Sequence, residues 1–147
     1  MATRACTQVL QHPNVVNALA VLDGGRLASG CFDSRVYIWS LAGGVQEAVL
    51  AGHTNWVRSL AALPNGLLAS GSADKTVRVW DVGARACVAV LEGHGGWVLA
   101  LAALPDGRLA SGSYDLIRVW TLSAPGSPED AAAATAEARR VDVAPAP

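Results

Sequence analysis

Cysteine is scarce and unpatterned in this chain. Cys6, Cys31 and Cys87 are odd in number and form no C-x-x-C pair, which argues against a disulfide framework or a zinc site and fits a reducing compartment, the cytoplasm or the nucleus. Excess charge is missing too. The net charge is −1, with both signs interspersed along 147 residues, so neither a basic footprint for nucleic acid nor an acidic tail for basic partners is present. No run reaches the roughly 18 apolar residues that span a membrane. Arg4 and the apolar stretch Val15 to Leu22 loosely imitate a secretory signal, but Asn17, Asp23 and Arg26 interrupt it.

What the chain does have is repetition. Leu27-Ala28-Ser29-Gly30-Cys31-Phe32-Asp33 returns as Leu68-Ala69-Ser70-Gly71-Ser72-Ala73-Asp74 and again as Leu109-Ala110-Ser111-Gly112-Ser113-Tyr114-Asp115, each 41 residues after the last. A period of that length belongs to architectures that stack one supersecondary unit repeatedly. Within the second unit, Pro64-Asn65-Gly66 separates two apolar runs. Asn-Gly tolerates the positive φ of a tight hairpin, and the other units offer Asp23-Gly24-Gly25 and Pro105-Asp106-Gly107 there. A second turn at Ala73-Asp74-Lys75, the short run Val77 to Trp80, and a fourth run Cys87 to Leu91 complete the unit. Four short antiparallel strands per repeat are therefore expected. The first two are apolar on both faces, as strands sandwiched between neighbouring sheets must be. Ala28, Gly30, Ala69, Gly71, Ala110 and Gly112 keep the second strand thin enough for sheets to approach closely. Radial stacking of such sheets gives a β-propeller.

The residues now carry a specific resemblance. Gly52-His53, Asp74 and Trp80-Asp81, repeated as Gly93-His94, Asp115 and Trp120, and more weakly as His12, Asp33 and Trp39 with Gln11 in place of glycine, resemble the signature of the WD-repeat family. The resemblance covers about residues 5 to 122, in units of about 5–40, 45–81 and 86–122. It implies an all-β fold of three four-stranded antiparallel blades forming an open or partial propeller. Arg4-Ala5-Cys6 with Val9-Leu10 echoes Arg85-Ala86-Cys87 with Val90-Leu91, so the chain is expected to start on an outer strand, which in the family closes the ring by completing the last blade.

Each unit holds Ser, His and Asp, and Ser70, His53 and Asp74 invite a hydrolase reading. The set occurs three times, as Ser29, His12, Asp33 and as Ser111, His94, Asp115, whereas an active site needs one copy. The resemblance implies a structural network instead: Asp holds His, His bonds Ser, and Ser reaches the indole of Trp39, Trp80 or Trp120. The serine four before each aspartate is favoured over the one two before it, because Cys31 replaces the latter in the first unit. No catalytic residue, metal site or cofactor is expected.

Binding is sought where the copies differ. Val15, Trp56 and Trp97 follow each histidine by three; Asn17, Arg58 and Leu99 follow it by five; Phe32, Ala73 and Tyr114 precede each aspartate. In propellers resembling this one these positions lie on the top rim, and Trp, Tyr and Arg dominate binding hot spots. The alternative is that Trp56 and Trp97 pack against neighbouring blades. The expected function is a non-enzymatic scaffold or adaptor that binds other proteins, with neither nucleic acid nor membrane as partner. The resemblance also suits a substrate-recognition part of a ubiquitin ligase or the regulatory region of a larger enzyme.

Two irregularities remain. Asp33 to Trp39 and Asp74 to Trp80 span six residues, but Asp115 to Trp120 spans five, so either the turn absorbs the deletion or Trp120 leaves its network. Three blades are also too few to close a ring that typically needs about four to eight. The chain is then part of a larger propeller, pairs with a second copy into a six-bladed ring, or completes a ring with another protein. Residues 123–147, opened by Pro125, Gly126, Ser127 and Pro128, read as a low-complexity, disordered tail with a short helix capped by Asp130.

Overall fold

The computed structural model describes residues 4–114 and 116–122. The first sheet is a meander of β1 (Val16–Leu22), β2 (Arg26–Cys31), β3 (Arg35–Ser40) and β4 (Val45–Ala51). The second repeats it as β5 (Val57–Ala62), β6 (Leu67–Ser72), β7 (Val77–Asp81) and β8 (Ala86–Leu91). The third holds β9 (Ala100–Ala103), β10 (Leu109–Gly112) and β11 (Ile117–Trp120). All pairings are antiparallel. The expectation of three four-stranded units is corrected to four, four and three strands among the described residues.

The expected N-terminal outer strand is corrected as well. Residues 4–10 form no strand. They lie instead on the first sheet, where Leu10 packs against Cys31, Tyr37 and Trp39 and Gln8 donates to the Leu41 carbonyl at 3.1 Å. A strand needs an edge to pair with, and among the described residues this segment pairs with none. The helix expected after Asp130 falls outside the described residues.

Turn chemistry sets the meander. Asn65 and Gly66 both adopt left-handed backbone, with φ of 63° and 75°, which matches the twist of the flanking strands. The turn between β2 and β3 likewise places Ser34 at φ 74°, and the turn between β6 and β7 places Lys75 at φ 75°. The third unit lacks that residue. Its turn closes one residue sooner, with Ser113 N–H donating to Leu116 O where Ser72 N–H donates to Thr76 O. Gly112 still faces Ile117 as Gly71 faces Val77, so the turn absorbs the deletion and the strand register survives.

The sheets stack through two apolar cores. Ala28, Val36, Ile38 and Leu50 of the first sheet meet Leu68, Trp80 and Val82 of the second. Leu67, Ala69, Val77 and Val79 of the second meet Val98, Leu109 and Trp120 of the third. Close approach depends on glycine. A Cβ on Gly30 would stand 2.7 Å from Val57 Cγ1, and one on Gly71 would stand 2.6 Å from Val98 Cγ1. Among the described residues no helix is long and apolar enough to cross a membrane.

Candidate functional site

The recurring polar residues meet inside each sheet. In the second, Trp80 Nε1 donates to Ser70 Oγ at 2.8 Å, and Ser70 Oγ lies 2.7 Å from His53 Nε2. His53 Nδ1 lies 2.8 Å from Asp74 Oδ2. The carboxylate accepts from Nδ1–H, which leaves Nε2 to accept the serine hydroxyl proton, so every buried group in the chain Trp80, Ser70, His53, Asp74 is paired. Burial pushes the Asp74 carboxyl up, but hydrogen bonds from His53 and Thr76 outweigh it and hold the group well below the usual carboxylate range.

The outer two sheets keep part of this chain. Ser29 Oγ lies 2.8 Å from His12 Nε2 and accepts from Trp39 Nε1 at 2.9 Å. Ser111 Oγ lies 2.7 Å from His94 Nε2 and accepts from Trp120 Nε1 at 2.7 Å. The link from Asp33 to His12 does not form, which corrects the first network. The Tyr37 hydroxyl donates to the Asp33 carboxylate instead, and Nδ1 of His12 has no partner among the described residues. Asp115 lies outside the described residues. Buried His94 has its pKa lowered, first by desolvation and then by Arg118.

The serines two before each aspartate have a separate task. Ser72 Oγ donates to Asn55 O and accepts from Asp74 N–H, both at 3.0 Å, and Ser113 Oγ donates to Trp97 O at 2.8 Å. They tie turns together. Cys31 is a buried thiol where Ser72 stands in the second sheet.

One pairing was missed in the sequence. Arg78 packs over Gly52, where a Cβ would meet its Nη1 at 2.8 Å, and Arg118 packs over Gly93, where a Cβ would meet its Cζ at 3.3 Å. The first unit has Tyr37 where the others have arginine, and Gln11 where they have glycine. The absent glycine therefore marks the absent arginine.

Five of the positions that differ between copies, Phe32, Trp56, Arg58, Trp97 and Tyr114, are in contact. The Phe32 and Trp56 rings stack at 4.3 Å with 8° between planes, although they belong to different sheets. Trp56 meets Trp97 edge-on at 5.7 Å, and Trp97 lies 6.5 Å from Tyr114. The Arg58 guanidinium sits 5.6 Å from the Trp97 ring centroid, a cation–π distance. Four rings, carried on the segments that flank β2, β5, β9 and β10, make one ladder. Tyr114, at 67% exposed, is its most open member, while Phe32 and Trp97 are half-buried.

Bulges aim two of these residues. Register shifts between Val16 and Ala18 and between Val57 and Ser59 leave Asn17 and Arg58 unpaired in their strands, and a bulge redirects its side chain. Asn17 Nδ2 then donates to Val57 O at 3.1 Å in the second sheet, and Arg58 reaches Trp97 in the third. Leu99 is half-buried and Val15 exposed. Ala73 is corrected: at 4% exposed it is covered, and its methyl does not reach the surface that Phe32 and Tyr114 reach.

Comparison with known families decides what these repeats are. The model described as WD domain, G-beta repeat, matches residues 4–40, 44–81 and 85–121, well over half the chain. The chain belongs to the WD40 family. No curated protein matches it. WD40 repeats generally mediate protein–protein interaction, and in this WD40 chain the shared Ser, His and Trp bond within each sheet while Phe32, Trp56, Arg58, Trp97 and Tyr114 meet across sheets.

Proposed function

We propose that this WD40 chain is a non-enzymatic interaction module, an arc of propeller blades that offers its aromatic rim to a partner protein. The observation that carries this reading is the ladder Phe32, Trp56, Trp97 and Tyr114, with Arg58 against Trp97. Large aromatic side chains and arginine at a surface are the types that supply most of the energy of protein interfaces, and rings preassembled by stacking lose little side-chain freedom on docking. The repeated serines favour a structural role over catalysis. Ser70 Oγ is buried and already engaged by His53 and Trp80, so its hydroxyl has no lone role to offer a substrate.

Unpaired thiols at Cys6, Cys31 and Cys87 suit a reducing compartment, and we place the chain in the cytoplasm or nucleus. The test is affinity capture from cell extract with the intact chain beside Trp56→Ala and a variant far from the rim, Glu47→Ala. A partner retained by Glu47→Ala and lost with Trp56→Ala supports rim docking. Equal recovery on all three would overturn it.

A further inference from the structure

The interface between adjacent sheets is made twice within the chain, and its two halves are each left over once. Gly30 receives Val57, and Gly71 receives Val98. The third glycine of the series, Gly112, has nothing among the described residues nearer to a Cβ position than Ala100 at 3.9 Å. The first valine of the series, Val16, is 43% exposed, whereas Val57 and Val98 are fully buried. Ile117 is 53% exposed where Val36 and Val77 are at 0%. Leu19 is exposed where Leu60 and Leu101 pack into cores. Among the described residues the third sheet thus presents an unfilled socket, and the first sheet presents the matching plug.

The backbone shows the same complementarity. Among the described residues β11 pairs only with β10. Residues 4–10 lie on the first sheet much as β4 lies on the second, where Ala48 and Leu50 pack with Trp80 and Val82. β4 is a strand because β3 pairs with it; residues 4–10 have no such edge among the described residues. Val9, which stands 41 residues before Leu50, is 70% exposed.

We propose that the chain pairs head to tail with a second copy of itself. Each copy's Gly112 and Ile117 face receives the other's Val16 and Leu19, and each copy's residues 4–10 add to the other's β11 as its fourth strand. Two such contacts related by a two-fold axis close six sheets into a ring. That number lies within the roughly four to eight that closed propellers use, whereas three copies would overshoot it. This goes beyond the rim reading and does not rest on it.

Light scattering of the full chain during size-exclusion chromatography tests the proposal. A single species of twice 15.1 kDa is expected. Gly112→Leu and Leu19→Asp fall on surfaces that are open within one copy, so each is expected to keep the circular dichroism of the original and to shift the mass to that of one chain. Trp56→Ala, a rim change, is expected to leave the mass doubled. A single-chain mass for the unaltered protein, a double mass that survives both substitutions, or a broad series of higher masses would overturn the proposal.

Discussion

Val98 Cγ1 lies 2.6 Å from where a Cβ on Gly71 would stand, with Ser59 Oγ at 2.5 Å from the same point. The glycine is a hole cut for a neighbouring sheet. Gly71→Ala is therefore expected to destabilise the chain by about 1–3 kcal/mol, the ordinary cost of overpacking. Thermal denaturation checks it, and an unchanged melting temperature would mean that the sheets sit further apart.

Ser70 joins two buried partners through one oxygen. Ser70→Ala leaves the Trp80 indole N–H and His53 Nε2 without it, at a cost of about 1–3 kcal/mol for each group left unpaired in the interior. Ser29→Ala is expected to cost less, because His12 is only half-buried whereas His53 is buried. Urea denaturation of both variants gives the comparison.

Gly52 and Arg78 form a matched pair. Gly52→Gln alone drives a side chain into the guanidinium, while Gly52→Gln with Arg78→Tyr copies the Gln11 and Tyr37 arrangement of the first unit. The double variant is expected to recover stability beyond additivity by about 0.5–3 kcal/mol. A double-mutant cycle in denaturant measures that coupling, and strict additivity would contradict the pairing.

The lowered Asp74 pKa has a direct pH consequence. A carboxylate held below its unfolded value stabilises the fold above that value, near 3.8, and loses the contribution as pH falls through the folded value. Melting temperature is expected to drop as pH is lowered below about 4, and Asp74→Asn is expected to start lower and flatten that dependence. An equal acid slope in both proteins would remove Asp74 as its source.

Much of this was legible because repetition is a strong signal. The 41-residue step, the Asn65-Gly66 turn and the Ser, His and Trp spacing located the strands and the interior bonds. The residues that misled are those whose fate depends on a neighbour. Asp33 reads as the partner of His12 until Tyr37 is seen to take it. Ala73 reads as rim until its burial is seen. Residues 4–10 carry the composition of an outer strand, but strand formation needs an edge supplied from elsewhere, and no local pattern states where that edge is. The stacking of Phe32 on Trp56 joins residues from two units, which a reading of one repeat at a time does not bring together.

Backbone hydrogen exchange of the chain with and without a captured partner tests the account most directly. New protection is expected in the segments that carry Phe32, Trp56, Trp97 and Tyr114. Protection confined to β4 and β8, with those segments unchanged, would contradict it.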